Sequence, residues 1–215
     1  MPGQRAKRNL GGKPTSGLRP ESKARSASVL GKMTASQRAS VLQALLARHP
    51  ELRSKAEQIA VDMISSPSVE EVAEEVRCAV TGLGVDSLHG HAGKQPWGYV
   101  DPSEAAWELL GEAIEELLAD MRRCMCLVLQ GAAVDVCCGI VLGFHDAGKS
   151  SSDGLLAWAP DFPAETAGQA VETLLRACPA GDRAAARDRL VEAVGQRVPE
   201  WEWMVERAAT GAIKK

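Results

Sequence analysis

The stretch Ala132-Ala133-Val134-Asp135-Val136-Cys137-Cys138-Gly139-Ile140-Val141-Leu142-Gly143-Phe144-His145-Asp146-Ala147-Gly148-Lys149-Ser150 decides the fold. Its β-branched pair Ile140-Val141, next to Gly139, would suit a buried strand. The length of the apolar run over 132–145 and its place in an otherwise helical chain favour a buried helix. The helical reading makes the protein all-α, with a polar loop over 146–162.

Upstream stands the clearest helix. Asp101 caps it, Pro102 occupies the first helical position, and Glu104 is placed to complete a capping box. Trp107, Leu110, Ile114, Leu117, Leu118, Met121 and Met125 recur at helical spacing, opposite Glu108, Glu112, Glu115 and Glu116. Those glutamates read as a solvated face rather than as paired acid–base carboxylates. Before it, residues 83–100 form a break containing His89, His91, Trp97 and Tyr99. Three shorter helices are expected ahead of the break. Thr34 and Gln37 open the first, His49-Pro50 ends it, Pro50 opens the second, and Ser68 with Glu71 opens the third. Leu52, Ala56, Ile59, Ala60, Met63 and Ile64 are the expected buried face of the second, and the three are expected to close into a compact antiparallel unit.

Downstream, Asp161 and Pro163 start another helix, and residues 182–195 and 199–209 read as two more, the last carrying Trp201 and Trp203. The expectation is a multi-helix bundle or short irregular α-solenoid of seven or eight helices over residues 34–212. Lobes at 34–88 and 101–212 would flank the break. No fixed repeat period is seen.

The net charge of −3 hides a split. Residues 1–33 hold eight Lys/Arg against Glu21 alone, a net of +7, and the rest hold 17 against 27, a net of −10. The first 33 residues lack the large apolar side chains needed to offset the entropy of ordering, so a disordered basic tail is expected. Such a tail contacts phosphates without sequence preference, which makes weak nucleic-acid association one candidate function. The only candidate span, 127–144, carries Gln130 and Asp135. A mid-span aspartate costs about 2.5–3.5 kcal/mol on insertion, so no membrane contact is expected. Six cysteines in apolar surroundings, with no secretory signal, read as reduced core thiols in a cytoplasmic protein.

Gly143-Phe144-His145-Asp146-Ala147-Gly148-Lys149-Ser150 satisfies the pattern G-x-x-x-x-G-K-S. With Gly139-Ile140-Val141-Leu142 ahead of it, the stretch resembles the phosphate loop of small GTPases of the ADP-ribosylation-factor type, which also place aspartate and alanine before the Gly-Lys. The resemblance implies backbone amides around phosphates, Lys149 on the terminal phosphate and Ser150 on magnesium. It extends over about a dozen residues. Ser151-Ser152-Asp153-Gly154, Pro160 and Pro163 then follow where a phosphate loop requires a helix to begin. A nucleotide-binding hydrolase using Gly143–Ser150 therefore stands as the alternative function.

No zinc-type ligand spacing and no nucleophile motif accompanies these features, so neither cofactor nor metal is expected. The leading expectation is a non-catalytic interaction or scaffold module that binds another protein. Trp97, Tyr99, Trp201 and Trp203 are its candidate binding residues, because Trp and Tyr combine an apolar body with a polar tip.

Overall fold

The computed structural model describes residues 29–96, 98–150 and 154–213. Three of the helices, those opening after Thr34, Ser68 and Asp101, begin where that side chain satisfies one of their first amides. At Thr34 the reciprocal capping box with Gln37 forms and opens α1 (Ala35–Arg48). His49 ends it, and Pro50 opens a short 3₁₀ turn, Pro50–Leu52, leading into α2 (Arg53–Ile64). Ser68 accepts from the Glu71 amide to open α3 (Val69–Thr81). Asp101 caps α4 (Pro102–Cys126), accepting from the amide of Ser103 rather than pairing reciprocally with Glu104. α5 (Gln130–Ser150), α6 (Phe162–Ala177), α7 (Arg183–Arg197) and α8 (Glu202–Ile213) complete eight helices among the described residues. The all-α class follows.

The chain divides into two units, Met1–Arg53 and Ser54–Lys215. Within the first lie α1 and its flanking turns, and no residue of α1 is buried. In the second, α5 is the central element and packs against α3, α4, α6 and α7. That position explains its composition. A helix covered on most sides has no wet face, so its sequence is apolar nearly all round and loses the periodicity that marks a surface helix. Ala133, Cys137, Ile140, Val141 and Phe144 are essentially inaccessible. The stretch Gln130–Lys149 is long and apolar enough to cross a membrane, yet 78% of its most apolar window is buried inside the fold. Asp135, its one early acid, pairs with Arg189 of α7.

Three expectations need correction. The loop expected from residue 146 is helix as far as Ser150. The break holds a two-stranded antiparallel ribbon, β1 (Gly93–Gln95) with β2 (Gly98–Val100), in which Lys94 faces Tyr99. The apolar face assigned to residues 52–64 is present but uncovered: α2 buries no residue, and Leu52, Ile59 and Met63 are exposed. α3 instead turns Ala73, Val76 and Val80 into the core against α5, so its apolar stripe is already occupied.

Candidate functional site

Two neighbouring structures on the Ser54–Lys215 unit collect the residues of interest. The first is a groove of about 490 Å³ between α6 and α8, within the size range of ligand pockets. α6 contributes Ala164, Glu165, Gly168, Gln169 and Glu172, and α8 contributes Trp203, Met204, Arg207 and Ala208. Both sets step by one and then three residues, which keeps them on one stripe of each helix. Met204 is buried and forms the floor, and the missing side chain of Gly168 leaves its Sδ only 3.5 Å from where a Cβ would stand. Trp203 is 58% exposed and forms one wall. Glu172 is tied to Arg176, whereas Glu165, Gln169 and Arg207 make no side-chain hydrogen bond or ion pair among the described residues. The lining contains no Ser, Cys or His, so it offers an apolar floor with polar groups at the rim rather than a nucleophile.

The second is built by the last turns of α5. His145, Asp146 and Lys149 stand where the 3₁₀ turn Pro199–Trp201 meets the helix. His145 is 5% exposed, with Nε2 2.8 Å from Glu200 Oε1 and Nδ1 3.2 Å from Asp146 Oδ1. A neutral ring donates to one of these carboxylates, and the imidazolium donates to both. Lys149 Nζ reaches the same Glu200 oxygen at 3.0 Å. The Trp201 ring meets His145 edge to face, with centroids 5.2 Å apart. The residues that spell the phosphate-loop pattern thus have another use. Gly143–Ser150 is continuous α-helix, its amides belong to the helical ladder, and His145 and Lys149 fasten the corner before α8.

The hydrogen bond from His145 is the main reason the Glu200 carboxyl titrates near 2 instead of its ordinary 4.5, with its own backbone amide and Lys149 adding to the effect. A depressed folded value means the ionised form favours the native state. The contribution is complete above about pH 4.5 and disappears as pH falls toward 2. Glu200→Gln is therefore expected to be less stable than the parent at neutral pH, with the difference vanishing in acid. Urea denaturation at a series of pH values checks this, and a difference that persists at pH values near 2 would refute the assignment.

The four aromatic candidates do not converge. Tyr99 stands 72% exposed on the ribbon, Trp201 is half-buried on His145, and Trp203 alone enters the groove. Trp97 lies outside the described residues, as does most of the basic tail expected to touch nucleic acid. Glu200 was not singled out from the sequence, and nothing local marks it, since its partner is 55 residues away. His89 and His91 are exposed, and Cys124 is buried while Cys126 is exposed. All six cysteines are free. Burial pushes the thiols of Cys137 and Cys138 up, that of Cys138 to about 12, which leaves them protonated and inert at neutral pH. In comparisons with known proteins, the chain matches no family model, no curated protein and no solved structure.

Proposed function

We propose that the chain is a non-catalytic interaction module that receives a short amphipathic segment of a partner protein in the groove between α6 and α8. The observation that carries this reading is the large exposed ring of Trp203 beside a buried apolar floor, with three polar side chains at the rim left unengaged. An aromatic anchor over a desolvated floor is the usual centre of a binding hot spot, and a helix-lined groove suits a segment presenting apolar residues one turn apart. Residues 54–215 hold fourteen Lys/Arg against twenty-six Asp/Glu, a net of −12, which favours basic flanks on the incoming segment. Six unbridged thiols support a reducing compartment such as the cytoplasm.

The test is capture through a photo-crosslinking residue at Gln169, comparing the parent with Trp203→Ala and with Gly168→Gln, which fills the groove. Partner capture is expected to fall at least about tenfold in each variant. Because Trp203 is mostly exposed, the same substitution should leave unfolding stability within about 0.5 kcal/mol. Capture that is undiminished in both variants would end the proposal.

A further inference from the structure

We infer that the tip between α4 and α5 docks on a second copy of this chain, Val128 of each copy entering an apolar dimple on the other. α4 ends in a paired-bond cap: the Val128 amide donates to the Met125 carbonyl at 3.0 Å, and the Leu129 amide to the Cys124 carbonyl at 2.9 Å. This arrangement needs a left-handed residue at its bend, where glycine is the usual occupant because it has no Cβ to clash. Here the bend holds Val128 at φ 61°, and no other described residue except glycine has a positive φ. A β-branched side chain makes that conformation a true outlier. Val128 adds little to its own core, being 75% exposed, with Leu127 beside it 51% exposed. A strained side chain that its own fold does not use points to a contact made outside it.

The receiving surface lies next to the tip. Two residues on, the first turn of α5 meets the start of α7 around a dimple of about 180 Å³. Val134 and Ala186, both buried, form its floor, and the exposed Gly131 and Ala185 its sides. Knob and hole thus sit side by side on one chain. A two-fold axis between two copies fills both holes at once, each residue pair occurring twice. An unrelated partner filling the dimple would leave Val128 uncovered. Charge selects the same occupant. Asp182 also lines the dimple, and its carboxylate makes no capping bond to α7. Arg123, in the last turn of α4 just before the tip, stays exposed while pairing with Asp120. The two-fold axis brings Arg123 of one copy toward Asp182 of the other, an opposite-charge contact flanking the apolar centre. A contact of this small size gives a weak dimer.

Sedimentation velocity of the full chain from about 1 µM to about 1 mM tests this, the weight-average mass being expected to rise toward that of two chains. Val128→Gly removes the knob and relaxes the bend. It should weaken association at least about tenfold, yet raise the urea midpoint measured at a concentration where the parent is monomeric. A residue serving only its own fold would not give those opposite movements. Ala185→Gln fills the dimple from an exposed helical position and should weaken association as much. Asp182→Arg should weaken it too, and adding Arg123→Glu to the same chain should restore it. A parent that stays monomeric over the whole range, or association unaltered by Val128→Gly and by Ala185→Gln, would overturn the inference. So would a charge reversal whose double form associates no better than Asp182→Arg alone.

Discussion

Gly143→Ala is expected to destabilise the fold by about 2–3 kcal/mol, although alanine is the better helix former by about 1 kcal/mol. A Cβ at 143 would stand 2.4 Å from the Ala73 carbonyl oxygen, 2.7 Å from Val76 Cβ and 3.0 Å from Ala73 Cα. Two of these are backbone atoms of α3, which cannot rotate aside as a side-chain tip can. Sliding α3 along α5 gives no relief, because Gly139, one turn earlier, is equally close to Val72 Cβ at 2.6 Å and the Val69 oxygen at 2.9 Å. α3 would have to lift from α5, opening the contact that buries Val76 and Val80. Gly148→Ala is the control, since a Cβ there meets nothing within 4 Å. It should be neutral or stabilising by up to about 1 kcal/mol. Urea midpoints of the two variants should therefore move in opposite directions or differ widely, and equal shifts would disprove the close approach.

The next residue carries the second large effect. Phe144→Ala should cost about 4 kcal/mol. Phe144 is fully inaccessible and meets Phe162 edge to face with centroids 5.8 Å apart; Phe162 in turn meets Trp107 at 4.9 Å. Removing the ring deletes its transfer free energy and one edge-to-face pair, and leaves a void between α5 and the start of α6 that rigid helices close only in part. Against a typical total of about 5–15 kcal/mol, that loss leaves a marginal fold. Phe144→Leu retains most of the volume and should cost about 1.5 kcal/mol or less, giving a measurable variant should the alanine form not refold. Equal stability of parent and Phe144→Ala in urea denaturation would refute the aromatic chain as a core element.

These two positions show where sequence reading reached its limit. Gly143 and Phe144 open a phosphate-loop pattern, and glycine beside a bulky residue is as compatible with a turn at a ligand as with two helices in close contact. Only the neighbour distinguishes them, and the backbone of α3 lies 70 residues earlier in the chain. The helical spacing of Leu52, Ile59 and Met63 was read correctly as a stripe, but a stripe does not state what covers it. Trp203 was identified by residue type. Its grouping with Trp201 followed from adjacency, and the fold sends one ring to His145 and the other to the groove.

Local chemistry settled where α1, α3 and α4 begin and where α1 ends. Thr34 with Gln37, His49-Pro50, Ser68 and Asp101-Pro102 act through bonds and steric limits within four residues, and such short-range terms operate whatever the rest of the chain does. Composition likewise settled the all-α class and the opposite charges of the tail and the body. Tertiary structure alone decided that α5 is the hub, that His145 and Lys149 meet Glu200, and which apolar stripes are covered. Burial and long-range ion pairs depend on segments distant in sequence coming together, and hydrophobic attraction carries no direction that would name the partner in advance.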